Sequence, residues 1–349
     1  MGDEQKGNTM KITAKDLVKL LDPLKLGSGK LAAGIQSGFL VVHGRTAYTF
    51  AGDIYAEIAL PDSCSFGIGD DEGCTPYKNL IDVAKKYDGK EIVIAVNDDA
   101  LVISCGRSRT KLSWETSVCV PRGVVGTPLE DGWKQLPETF PEVIKRCEQI
   151  IDCRRESSVL SSVHITPTFT ESASTARVIR CKCEIDIEQE FLLGAGQLST
   201  IFDYPLTEYQ IVDSRWFFVR GGGIMFGIPM HLSPYLSEMD GIFNRPGEPL
   251  DLTDMGLSDI KLAQAIMDRG DDLRVDIKDH KCIVTGTGSY GKHKVDVDVD
   301  TDTTTSFYIS PVDLGRILEW ETVCKLGEKT LSVETEDFQY VATIDKDRL

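Results

Sequence analysis

The chain has 349 residues and carries 55 acidic against 38 basic side chains, a formal charge of −17. A length of this order calls for two or three cores instead of one, and the acidic balance excludes a protein that grips nucleic acid by phosphate neutralisation over its whole surface. No run of eighteen apolar residues occurs, and Met1–Thr9 lacks the apolar centre of a secretion signal, so a cytoplasmic protein with no membrane contact is expected, residues 1–9 forming a disordered extension.

Along the chain, an amphipathic helix is predicted over Lys15–Lys25, followed by period-two alternation in Ile54–Leu60. A second helix lies within Pro76–Tyr87, and two strands follow, Glu91–Val96 and Leu101–Ser113, around an Asp98-Asp99 turn. The same order then returns. A helix over Phe140–Ile151 precedes a helical position at Leu198, the strand Arg215–Val219 and a glycine turn at Gly221-Gly222-Gly223. A helix over Leu257–Asp268 precedes another at Leu314 and a closing strand to Ile344. Leu80, Leu198 and Leu314 stand 118 and 116 residues apart, each with an apolar residue three positions on (Val83, Ile201, Ile317), so a threefold α+β repeat is expected. The Gly- and Pro-rich stretches Val120–Gly132 and Ser237–Pro249 set the expected domains at 10–124, 125–240 and 241–349.

Chemistry-bearing motifs are sparse. The ten cysteines include no CxxC pair, and none stands in a zinc-ligand arrangement with the five histidines, so reduced buried thiols and no metal or cofactor are expected. Gly286–Lys292 (GTGSYGK) fits GxxxxGK, but His293 follows where a phosphate loop needs Ser or Thr, and strand periodicity replaces the helix; a hairpin turn is the expectation. Val295–Asp302 (VDVDVDTD) opens like a calcium loop, yet Thr301 stands where glycine is needed and Phe307 where glutamate is needed. No GxSxG elbow occurs, and no catalytic residues are assigned.

Leu101–Ser113 (LVISCGRSRTKLS), with Gly52–Glu57 (GDIYAE), the helix at 76–87 and Glu91–Val96 before it, resembles the first domain of the bacterial DNA polymerase III β sliding clamp, in which a Ser-Gly-Arg-Ser-Arg string is characteristic. With the threefold repeat, the resemblance extends over residues 10–344. It implies three pseudo-repeated DNA-clamp domains per chain, helices lining a ring, antiparallel sheets outside, and no catalysis. It further implies a head-to-tail homodimer around double-stranded DNA, held without sequence readout, that tethers DNA polymerase and clamp loader through short peptides.

Under that resemblance the DNA-facing cations are Lys15, Lys19, Lys25, Lys78, Lys85, Lys86, Lys145, Arg146, Arg154, Arg155, Lys261 and Arg316. Arg107, Arg109 and Lys111 form a positive ladder on one strand face, and Asp296, Asp298, Asp300 and Asp302 a negative one, as the two sides of the subunit interface. Leu160, Pro234, Met239, Val341, Ala342 and Ile344 are the expected lining of the partner-peptide pocket. Two departures from the family stand out: Arg177–Cys183 (RVIRCKC) replaces an Asp-Gly-His-Arg string, and the charged tail Asp345–Leu349 replaces an apolar Met-Pro-Met-Arg-Leu ending. Together with a short third domain they suggest a phage-encoded member and an altered pocket. The competing readings are a phage assembly protein built from the same repeats, and an enzyme with an inter-domain cleft.

Overall fold

The Thr13 hydroxyl accepts the Asp16 amide at 3.1 Å and donates to the Asp16 carboxylate at 2.7 Å. This side-chain cap starts helix α1 (Ala14–Leu21), which buries Ala14, Leu17 and Leu21 along one stripe. The computed structural model describes residues 9–28, 38–51, 53–62, 64, 66, 72–97, 99–116, 125–151 and 159–348. Arg154 and Arg155 lie outside them, as do most of the expected N-terminal extension and the point at 124 where the first domain was expected to end.

The chain folds as two compact units, Met1–Glu142 with Gly196–His231 and Val143–Ala195 with Leu232–Leu349. In the first, α1 continues as a tight turn over Asp22–Lys25 and packs on α2 (Tyr77–Lys86), which buries Tyr77, Leu80, Ile81 and Ala84. The Tyr77 hydroxyl donates to the Leu21 carbonyl at 3.0 Å, closing the unpaired end of α1. One sheet runs Met10–Thr13, Glu91–Asn97, Ala100–Cys105, Ser108–Ser113, antiparallel throughout. The other runs Glu72–Pro76, Phe39–His43, Thr46–Phe50, Tyr55–Ala59, and then continues into Ile224–His231, Trp216–Gly221 and Glu208–Val212. The junction pairs Ile58 with Ile224 and Tyr55 with Gly227, so strands of the first and second repeats share one ladder.

Helix α3 (Phe140–Gln149) carries the chain from the first unit into the second, and α4 (Leu198–Ile201) is a single turn. The second unit repeats the junction device: Arg177–Lys182 pairs with Phe338–Thr343, matching Arg177 with Ala342 and Cys181 with Phe338. Its remaining helices are α5 (Met239–Phe243), α6 (Leu257–Ile266) and α7 (Pro311–Trp320), the last capped by Ser310, whose hydroxyl accepts the Val312 amide at 3.3 Å. A separate sheet runs Gly291–Asp298, Lys281–Gly288, Leu273–Lys278, Thr305–Ile309. The expected hairpin in place of a phosphate loop is present, Gly288 facing Gly291 across Ser289-Tyr290. The glycine turn is present as well, Gly222 and Gly223 having φ of 58° and 78° between paired Gly221 and Ile224. The units cut through the second repeat because backbone ladders join neighbouring repeats.

Candidate functional site

Six of the predicted DNA-facing cations, Lys15, Lys19, Lys25, Lys78, Lys85 and Lys86, are exposed on α1, on the turn that continues it and on α2. Lys15 and Lys19 stand one turn apart on the side of α1 away from its buried stripe, and Lys78 and Lys85 share a face of α2. In the second unit Lys261 is exposed on α6. The other cations there are engaged. The Arg146 guanidinium stacks on Phe338 at 4.6 Å and on Trp320 at 5.7 Å. Arg316 bonds to Asp313 and to the Gln149 carbonyl and keeps only 16% of its side chain exposed, and Lys145 is half-buried. Sequence alone could not separate free cations from structural ones: the aromatic partners of Arg146 and the Gln149 carbonyl that Arg316 reaches lie far along the chain, and Asp313, three residues before Arg316, carries no mark of its burial.

The two charged strands are both at sheet edges. Ser108–Ser113 is the last strand of its sheet, with Arg109 and Lys111 exposed on one face. Arg107 does not belong to that ladder. It sits in the two-residue turn after Gly106, whose φ of 56° the tight hairpin between Cys105 and Ser108 requires. Gly291–Asp298 is likewise an edge strand, with Asp296 and Asp298 exposed and Val295 and Val297 half-buried. The negative ladder is shorter than expected. Val299 turns inward like Val295 and Val297, is 5% exposed and donates its amide to the His280 carbonyl at 2.9 Å, but the strand ends at Asp298, so Asp300 and Asp302 lie beyond it. Lys281 comes within 3.6 Å of Asp296, offsetting part of its charge.

Of the predicted pocket residues, Leu160, Met239 and Val341 converge with Ala173, Val178, Tyr235, Ile242 and Phe243. Pro234 is exposed and outside the cluster. Ala342 and Ile344 are buried but do not belong to it, because alternate residues of a strand point to opposite faces and Val341 takes the cluster side. The tail does not join it either: Asp345 bridges to Tyr308, and Arg348 pairs with Asp272 at 3.0 Å over the Tyr308 ring. The chain itself covers the cluster. Met239 on α5 is 2% exposed, and the Asp240 carboxylate takes Arg180 at 2.6 Å. Arg180 also reaches Glu171 at 2.8 Å and stacks against Phe169 and Phe243, while Tyr235 stacks on His164 at 4.6 Å. The ion pairs, foremost the one to Asp240, hold the Arg180 guanidinium above its usual pKa even against its burial. This polar frame of Glu171, Arg180, His164 and Asp240 escaped the sequence reading; its one signal was an arginine two residues after Val178, in the stretch Arg177–Cys183 that departs from the family's string.

Compared whole, the chain aligns over 96% of its length with the DNA polymerase III beta subunit of Thermotoga maritima, over 98% of that chain, with a TM-score of 0.79 and 12% identity. The chain has the sliding-clamp fold. The β clamp of Helicobacter pylori bound to a DNA ligase peptide matches over 97% of this chain and 99% of that one, with a TM-score of 0.79 and 13% identity. The DNA polymerase III beta clamp of Pseudomonas aeruginosa bound to griselimycin gives 97% and 99%, a TM-score of 0.78 and 14% identity. No family model matches the sequence, and no curated protein matches it. The α+β architecture of repeated helices and antiparallel meanders expected from the sequence is that of the clamp fold, kept at identities where few side chains coincide.

Proposed function

We propose that the protein is a DNA sliding clamp, a processivity factor without catalytic activity of its own. The observation that carries this is the fold match over nearly the full length of both chains, end to end with the β clamps. In this reading the chain comprises three domains, 10–124, 125–240 and 241–349, and two copies join head to tail around duplex DNA in the cytoplasm. Exposed lysines of α1 and α2 then contact phosphates obliquely, without entering a groove, which allows sliding. The edge strands meet at the subunit contact, Arg109 and Lys111 opposite Asp296 and Asp298. The Helicobacter structure holds a ligase peptide, and by analogy short peptides of a polymerase or loader would engage this chain, the cluster around Met239 and Val341 being the counterpart site. The three solved structures named above are bacterial, and the phage readings, clamp or assembly protein, are not favoured.

A topological link is the property to test. Protein diluted to dissociate its subunits and then concentrated with nicked circular DNA is passed through a sizing column, before and after the circle is cut once. Co-elution with the circle that disappears on cutting is the expected result. Equal retention on both forms would leave only surface adhesion and would sink the proposal.

A further inference from the structure

Within the second unit, the cluster around Met239 lies on a sheet face whose strands are paired without help from the segment that covers it. Ala173, Val178 and Val341 are register partners across three strands, Ala173 opposite Val178 and Val178 opposite Val341, so they form one apolar row. Two residues further along its strand, Arg180 points to the same side, opposite Glu171, which in turn stands opposite His164. An apolar row thus runs beside a polar one, and the backbone ladders that hold both do not involve the chain above them.

The cover is formed by residues 232–244, which belong to no strand. Met239 is the one buried residue among them; Tyr235, Ile242 and Phe243 are half-buried and the others are exposed. Their helix, α5, is five residues long, starts without a side-chain cap and has Gly241 in its interior, so it has little helical stability of its own. The segment is fastened once to each row. Met239 packs on the apolar row, and the Asp240 carboxylate takes Arg180 at 2.6 Å while its own side chain stays 78% exposed. It therefore lies on the face as a short bound peptide would, with an apolar side chain in one row and a carboxylate on the arginine of the other. Arg180 is not stranded when Asp240 leaves, because Glu171, 3% exposed, still holds it at 2.8 Å. The uncovered face keeps that guanidinium in place for an arriving carboxylate.

We propose that residues 232–244 are an autoinhibitory strap. They occupy the docking face in the free chain, and a partner peptide with a carboxylate next to an apolar side chain, the chemistry of the strap's own Met239 and Asp240, binds by displacing them. The inference rests on the reading that short partner peptides engage this cluster, and adds that the site is closed until the strap leaves. In such a device a peptide meets only the open fraction of molecules, so its apparent affinity rises in proportion to that fraction.

The test uses the full chain labelled with ¹³C at the methionine methyls, seven in all, with Met239 assigned by Met239→Leu. The probe is the strap's own sequence as an unlabelled peptide, acetyl-Tyr-Leu-Ser-Glu-Met-Asp-Gly-Ile-Phe-Asn-amide. The Met239 resonance is expected to move saturably toward that of a solvated methyl as the peptide is added. Asp240→Asn, at a side chain too exposed to decide folding, should tighten the peptide about tenfold, whereas Asp240→Glu, which keeps the charge, should leave its affinity near that of the parent. Gly241→Ala should act the other way. A Cβ at Gly241 meets no described atom within 4 Å, so alanine stabilises α5 and should weaken the peptide about twofold to fivefold. Peptide that binds without moving Met239, or no binding to any of these chains up to millimolar peptide, would overturn the proposal. Movement of Met239 with equal affinities for the parent and Asp240→Asn would remove the strap and leave the docking site standing. None of these readouts involves DNA or a ring, so the clamp reading and the strap can fail separately.

Discussion

Asp313 is a carboxylate almost without water, 3% exposed, and four groups converge on it or on its partners. Arg177 reaches it at 2.8 Å, Arg316 at 3.3 Å and the Tyr340 hydroxyl at 2.7 Å, while Arg316 goes on to the Gln149 carbonyl. Burial, with the Asp313 charge adding to it, pushes the Tyr340 phenol far above its ordinary range. Removing the carboxylate leaves two guanidinium groups short of a partner, so Asp313→Ala is expected to lower stability by about 3 kcal/mol, read as a shift of the urea midpoint. A shift below about 1 kcal/mol would mean that water replaces the lost partner. Two thiols make a pH prediction. Burial raises Cys282 and Cys324 from 9.0 to about 12, so the folded chain holds their protons more tightly than the unfolded chain does. The associated stability is complete below pH 9 and is lost as pH climbs toward 12. Urea midpoints taken from pH 8 to pH 11 should fall less steeply in a Cys282→Ala, Cys324→Ala variant than in the parent. That these cysteines would be buried, free thiols was legible from their spacing; that Arg316 would be a bracket for Asp313 was not, because the groups that meet there with it, Arg177, Tyr340 and the Gln149 carbonyl, lie far along the chain.

At the scale of elements, the two edge strands carry the sharpest expectation. Arg109 and Lys111 project from the strand Ser108–Ser113, whereas Arg107 stands in its hairpin turn. Reversal of the first two, Arg109→Glu with Lys111→Glu, should weaken self-association at least tenfold by light scattering, and Arg107→Glu should do less. An equal effect from Arg107→Glu would show a contact made by the turn and not by the strand. Period-two alternation predicted these faces correctly over most of their length. It failed at two points for the same reason, that a period holds only as far as the strand does. The ladder stops where the strand ends at Asp298, and Gly106 bends the chain before Arg107 can join its neighbours. The pocket reading failed differently. Val341 and Ala342 are adjacent, so strand geometry forbids both from lining one cavity, and that error could have been found in the sequence. The helix pairs were legible because their apolar stripes, with Leu80 and Leu314 central, are strong enough to outvote local composition.

For the molecule as a whole, the charge of −17 and the lysine faces of α1 and α2 act in opposite directions. A binder held by six to ten phosphate contacts loses roughly 10³ to 10⁵ in affinity between about 50 and 200 mM salt. Retention on circular DNA should instead be unchanged over that interval, while binding to a short linear duplex should be weak and strongly salt-dependent. A common salt dependence for both substrates would place the protein among ordinary electrostatic binders. The repeat was legible at this scale from spacing alone; the way repeats share sheets was not, since strand partners such as Ile58 and Ile224 carry no mark in sequence of their pairing.

That sharing has a mechanical corollary. The ladders Tyr55–Ile58 with Ile224–Gly227, and Arg177–Cys181 with Phe338–Ala342, rivet consecutive repeats by backbone bonds within the chain. Two repeats joined in this way are held by backbone bonds and by the chain itself, whereas separate copies lack the covalent link. If two such copies form a closed band, the band has two seams, each at a meeting of the two edge strands, and a motor that opens it need prise only one, the other serving as the hinge.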